Sequence, residues 1–205
     1  MNIKLIALGG ILMTDLPKIG KPATNALATV GIDQIEQLSS VTKSNLAHLH
    51  GVGPKAIEIL EKSLLELGLS FSLVSSDLPD LPFFLIGDLA CDNAPKRRIA
   101  RDLAMNLYAK GLVYDGSLMV DEVVYKAPYN DLVLTGRDQV LSSAIRVTDI
   151  SSIEVFQILS HGKEAALHGK IVDKQGTFTY FSMFFVFASH KKDSVVSQIV
   201  HYQQI

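Results

Sequence analysis

Leu49-His50-Gly51-Val52-Gly53-Pro54-Lys55-Ala56 is the stretch on which the reading of the first third of this 205-residue chain turns. The glycines permit positive φ and close backbone approach, so the chain can reverse within about three residues. Pro54 suits a first helical turn, where its missing N–H goes unused. The amides of Gly53 to Ala56 then face outward from a helix N-terminus, a setting that favours an anion such as phosphate. Behind them Ile57, Leu60, Leu64 and Leu67 recur at helical spacing, Glu58 and Lys62 pair one turn apart, and Gly68 is the stop.

Upstream, Leu16-Pro17-Lys18-Ile19-Gly20-Lys21-Pro22-Ala23 repeats the apolar–Gly–Lys/Pro–Ala order ahead of Leu27 and Val30. The two stretches resemble paired hairpins of a helix-hairpin-helix unit. Taken whole, residues 16–71 resemble the C-terminal domain of the bacterial RNA polymerase alpha subunit. The matching pieces are Asn25-Ala26-Leu27, Gly31-Ile32, Gly51-Val52-Gly53-Pro54-Lys55 and Glu66-Leu67-Gly68-Leu69-Ser70. The resemblance implies a DNA minor-groove contact, for which Asn25, Gly53 and Lys55 match, with the turn residues Gly20, Lys21 and Gly51 beside them. Pro22 stands where that family carries an arginine and Ala56 where it carries a serine, and both departures remove groove donors.

Residues 21–30, 33–38 and 42–49 read as three short helices, the first ending at Gly31 and the third opened by a Thr or Ser cap. The expected first domain, 14–71, is therefore small and all-α, near the lower size limit for an independent core. It holds five lysines against six carboxylates, a net charge of −1. A domain that binds DNA mainly through phosphates is basic. This balance leaves two expectations open, weak DNA contact through local backbone amides or contact with a protein.

The whole chain is 48% hydrophobic and 20% charged, an ordinary globular composition. No apolar run of about 18 residues exists, so no membrane-spanning helix is expected. The segment 5–13 is apolar but broken by Gly9-Gly10, which reads as an edge strand, or as an over-extended start with Met13 as the first residue, rather than a signal peptide. Cys91 is the sole cysteine, so neither a disulfide nor a cysteine zinc site is expected, which fits a reducing cytoplasm.

Residues 72–91 break regular structure with Ser75-Ser76-Asp77, Pro79 and Pro82 and read as a linker. Its Leu81-Pro82-Phe83-Phe84-Leu85-Ile86 run is apolar enough to dock on one of the domains. The second domain, 92–205, opens at Asp92-Asn93-Ala94-Pro95 with a helix start. Ile99, Leu103 and Leu107, flanked by Ala100 and Ala104, form its apolar stripe; Lys96-Arg97-Arg98 and Arg101 read as a solvated face, with a phosphate or partner patch as the alternative. Short strands at 122–126 and 132–134, a helix at 139–145 and long strands at 152–160, 164–173, 177–189 and 195–202 follow. Turns at His161-Gly162, Gln175-Gly176 and Lys191-Lys192-Asp193 make the last four an antiparallel meander.

This order resembles the nuclear transport factor 2-like, or SnoaL-like, superfamily. It rests on the long first helix, Thr135-Gly136-Arg137-Asp138-Gln139-Val140, the strand–His-Gly–strand turn and the closing Ile199-Val200-His201-Tyr202. The resemblance implies an α+β cone, a curved antiparallel sheet wrapped around helices with an internal cavity, so the fold class expected for the whole chain is α+β with two domains. That superfamily includes isomerases, cyclases and dehydratases as well as non-enzymatic dimerisation modules, and its fold does not fix an activity.

The strand 177–189 is apolar on both alternations, Phe178, Tyr180, Ser182, Phe184 and Val186 on one, Thr179, Phe181, Met183, Phe185 and Phe187 on the other. Both faces need cover, one from the cone's helices and one from a second copy of the sheet, so a homodimer is expected. An isomerase of the ketosteroid kind needs a carboxylate base and a tyrosine donor in an apolar pocket. The candidate pocket groups are Tyr108, Tyr125, His168, Tyr180, Ser182 and His201, with His168 the sharpest. The acidic candidates, Asp121, Glu122, Asp131, Asp138, Glu154 and Glu164, fall at turns or strand ends. The histidines show no metal-ligand spacing, so neither a metal nor a cofactor is expected. The expected function is a non-enzymatic dimeric adaptor or regulator, whose cone dimerises and could hold a small apolar ligand while the helical domain touches DNA or protein. The alternative is a small-molecule isomerase or cyclase.

Overall fold

In a computed structural model of the chain, the described residues are 3–4, 13–72, 81–87, 89, 91, 94–110, 116–143, 145 and 149–204. Expectations at 5–12, at 75–80 and at the Asp92-Asn93 cap lie outside them. The chain opens with a short ribbon, β1 (Ile3–Lys4) against β2 (Met13–Thr14). Four helical elements follow, α1 (Lys21–Thr29), a 3-10 turn (Glu36–Ser40), α2 (Lys43–Ala47) and α3 (Pro54–Glu66). The Thr42 side chain caps α2 by accepting from the Asn45 amide, and prolines occupy the first turns of α1 and α3. In α3 the buried row is Ala56, Leu60 and Leu64, whereas Leu67 at the C-terminal end is 41% exposed. Of the expected stripe Leu60 and Leu64 are buried and Ile57 is half-buried, and Ala56 extends the buried row backward. These elements share a core that includes Leu27, Ile32, Leu38, Leu46, Leu60 and Leu64, all fully buried.

The rest is a mixed α+β unit with a curved, mostly antiparallel sheet. Its elements are β3 (Phe84–Gly87), α4 (Pro95–Tyr108), β4 (Met119–Ala127), β5 (Leu132–Thr135), α5 (Arg137–Ser143), β6 (Ile150–His161), β7 (Glu164–Asp173), β8 (Phe178–Phe187) and β9 (Val196–Gln203). The sheet order is β3-β6-β7-β8-β9-β4-β5, with β3–β6 and β4–β9 parallel and every other pair antiparallel. The segment expected as a linker therefore holds an edge strand. Its alternation explains why: Leu85 enters the core of the sheet unit, while Ile86 enters the core of the helical unit.

Helix α4 lies across the inner face, and residues 100–109 are all buried. On that side β8 contributes Phe181, Met183, Phe185 and Phe187, each at most 4% exposed and each worth about 2–3 kcal/mol of burial. The solvated face expected on α4 holds for Arg98, which is exposed, and in part for Arg97, but not for Arg101 and Lys96. Arg101 is 3% exposed, with Nε and Nη2 both 2.8 Å from Asp102 Oδ1 and Nη1 donating to the Leu89 carbonyl. Lys96, 9% exposed, donates to the carbonyls of Gly162 and Ser189 and lies over the Phe187 ring. The helix is covered on more than one side, so charged heads are retained by finding carbonyl and carboxylate partners.

The helical unit sits on the outer face of the sheet at its β3 end. Ser151 and Ser152 donate their hydroxyls to the carbonyls of Thr29 and Val30, both at 2.7 Å. Those carbonyls end α1 and have no partner within the helix, so the sheet acts as its cap. Beside them Glu154 accepts from Lys170 at 2.9 Å, and Gln37 Nε2 lies 3.4 Å from the same carboxylate.

Candidate functional site

Strand register divides the outer face into two territories. The β3 end, with Ser152 and Val172, is covered by the helical unit. The remainder is open. Cross-strand partners Gln157, His168, Ser182 and Tyr202 form one row across β6, β7, β8 and β9. Leu159, Ala166, Phe184 and Val200 form the next. A bulge in β6 places Phe156 beside the first row, its ring centroid 5.6 Å from that of His168 and 6.3 Å from that of Tyr180. The bulge also keeps both Val155 and Ile158 turned inward, although they are three apart.

The result is a polar row bordered by exposed rings. Phe178, Tyr180, Phe184, Tyr202, Phe156 and Leu159 are between 44% and 57% exposed. A depression of about 620 Å3 lies over Gln157, His168, Tyr180, Ser182, Phe184 and Tyr202, and a neighbouring one of about 520 Å3 shares Leu159, Ala166 and Phe184 with it. Tyr180, Ser182 and His168, three of the six expected pocket groups, are on this outer surface and not in an internal cavity.

The other three meet on the inner side of the curved sheet, against α4. Tyr125 of β4 places its hydroxyl 2.6 Å from His201 Nδ1, and Tyr108 of α4 places its own 3.2 Å from Nε2. One hydroxyl donates to the unprotonated nitrogen and the other accepts from the ring N–H, so both nitrogens are satisfied. Tyr129 stacks edge-on to the imidazole from the turn after β4. Burial lowers the His201 pKa to about 4 and keeps the ring neutral. It also raises the Tyr108 and Tyr125 pKa values, with neighbouring tyrosines adding to the rise. His201 and Tyr125 are fully buried, so no water-sized void touches either side chain.

At the helical unit the two glycine turns come together. A Cβ on Gly51, whose φ is +99°, would stand 3.0 Å from the Pro22 carbonyl oxygen and 3.5 Å from Ala26 Cβ. Gly20, Lys21, Asn25 and Lys55 are exposed around this contact and Gly53 is half-buried. Gly53 differs from the expectation of positive φ: its φ is −95° and the space around it is open.

Sequence reasoning missed Asp102, Arg101 and Lys96 as buried charges, and no signal in the chain marks them, since their helix shows an ordinary apolar stripe. It also missed Phe156, because a bulge leaves no mark in a strand's alternation. Among the described residues no group of three or more His, Cys, Asp or Glu side chains is placed to hold a metal ion, and no helix is long and apolar enough to cross a membrane.

The sequence matches no protein-family model and no curated protein. Solved structures similar to it include a Kribbella flavida protein provisionally assigned as a ketosteroid isomerase, 19% identical over 54% of this chain and 78% of that one, with a TM-score of 0.45. A nuclear transport factor 2-like protein of unknown function from Burkholderia xenovorans is 14% identical over 56% of this chain and 87% of its own, also with a TM-score of 0.45. One from Mesorhizobium loti, again of unknown function, is 10% identical over 60% of this chain and all of its own, with a TM-score of 0.41.

Proposed function

We propose that this chain is a non-enzymatic, self-associating adaptor of the cytoplasm. Residues 92–205 act as a nuclear transport factor 2-like module that pairs with a second copy through the open part of the outer sheet face. Residues 14–71 act as a helix-hairpin-helix unit that presents Gly20, Lys21, Asn25, Gly51, Gly53 and Lys55 for weak contact with DNA or a protein.

The observation that carries this reading is the half-exposed aromatic face. Half-exposed rings offer on the order of 100 Å2 each, so the six apolar side chains bring roughly 500–600 Å2, the upper end of what a monomer leaves bare. The polar row between them extends that toward the ~800 Å2 per partner of a stable interface. Among the described residues the lining of the larger depression holds no Asp, Glu, Lys or Arg, and Glu164 lines the adjoining one. A two-fold contact sets a surface against itself, and a neutral surface meets its copy without like-charge repulsion. Sedimentation velocity of the full chain at micromolar concentration is expected to give a dimer, and Phe184→Asp a folded monomer. A wild-type chain that stays monomeric at tens of micromolar sinks the reading.

One observation favours an enzyme instead, the two tyrosine hydroxyls brought together in an apolar interior. Those hydroxyls are already engaged with His201, and a substrate would reach them only by displacing the wall. A small apolar ligand fits the outer depression better than the interior, and in the dimer the partner's rings would close over it.

A further inference from the structure

Resting on the self-association reading, we propose that proton uptake by His168 dissociates the dimer, so that the pairing face is itself a pH switch. Imidazole is the one ordinary side chain that gains charge between about pH 8 and 5. His168 stands on the outer face of β7, in the row with Gln157, Ser182 and Tyr202. Rings surround it: Phe156 contacts it edge-on, Tyr180 packs on Phe156, and Phe184 and Tyr202 pack on each other beyond Ser182. A copy laid over those rings removes His168 from water. Because the contact is two-fold, each dimer encloses two such imidazoles.

The described groups that face it offer a cation neutral acceptors and ring faces but no unpaired carboxylate. From β6 come Gln157 and the Phe156 ring, and the nearest carboxylate on that strand, Glu154, is bound to Lys170. From β8 come Ser182 and Tyr180, and from β9 Tyr202. Along β7 itself Lys170 lies one outward position away, a second cation, while Glu164 sits at the far end of the strand opposite Val186. The helical unit approaches this end of the sheet with Gln37 at Glu154, and Asp33 lies with Lys170 beside the small depression that Tyr180 also lines. A proton on His168 therefore enters the interface without a counter-charge, where burying charge is costly. The sign follows: pairing is fullest above the imidazole's titration range, where the ring is neutral in both states. It falls as the pH drops, because the separated chain takes up protons that the dimer excludes.

The test is the dimer dissociation constant of the full chain by sedimentation at about pH 8 and about pH 6, for wild type and His168→Gln. Two excluded protons predict a loosening of about tenfold or more for the wild type over that interval. His168→Gln keeps a hydrogen-bonding side chain that never charges, and should pair equally at both pH values. His168→Arg should be monomeric at both. A wild-type dimer with the same constant at both pH values, or a His168→Gln chain that loosens as the wild type does, overturns the switch and leaves the pairing reading standing. A wild type that is monomeric at about pH 8 overturns the pairing reading and the switch with it.

Discussion

The hydroxyl of Tyr125 and Nδ1 of His201 lie 2.6 Å apart beneath the inner face of the sheet, joining β4 to β9 where those strands run parallel. With Tyr108 on the other nitrogen, the imidazole is held by α4 and two strands at once. The contact works only with a neutral ring, because a protonated one would be a buried cation faced by neutral phenols.

Stability should accordingly fall in acid. An unfolded histidine titrates near ~6.5, whereas burial lowers that of His201 to about 4. The folded state is unaffected above about pH 6.5 and loses ground as the pH drops toward 4, by up to about 3 kcal/mol. Denaturant midpoints across that window should decline for the wild type and decline less for His201→Gln, which should itself lower the midpoint at neutral pH. A wild-type midpoint that is flat from about pH 7 to pH 4 contradicts this account of the interior.

The two glycines of the 51–53 turn should behave oppositely. Gly51→Ala sets a side chain at positive φ against the Pro22 carbonyl and should cost about 1–3 kcal/mol. Gly53→Ser fits its extended φ and adds a cap to α3, so thermal unfolding should show it as stable as wild type or up to about 1 kcal/mol better. If position 53 is a contact surface, the same variant should weaken partner binding.

DNA contact is checked by fluorescence anisotropy with a duplex at low salt. Weak binding that falls with added salt, with a slope smaller by about one in Lys55→Glu, is the outcome for a phosphate contact at this corner. A chain that leaves the duplex unbound at low salt takes DNA out of the reading of this corner.

The seat of the helical unit should loosen when Ser152 loses its hydroxyl. Ser152→Ala strands the buried Val30 carbonyl and should cost about 1–2 kcal/mol by chemical denaturation. Hydrogen exchange should quicken at the end of α1 and in the first residues of β6 while the centre of β8 keeps its protection. Uniform quickening across the sheet would instead mark a global effect.

The sequence by itself marked the ends of the strongly patterned elements. Prolines in the first turns and glycines after the last ones bracket α1 and α3, and alternation with His-Gly and Gln-Gly turns marks out β6 to β8, because these signals act over a few residues. It also disclosed that both faces of β8 are apolar. Only the tertiary structure decided which alternation points inward, since that depends on where α4 lies, far away in sequence. The same packing sent His168, Tyr180 and Ser182 outside and Tyr108, Tyr125 and His201 inside, buried Lys96 and Arg101 on a helix whose charges looked solvated, and drew 84–87 into the sheet. Sidedness is a long-range property: a strand's period of two separates two faces, and the neighbours it packs against choose between them.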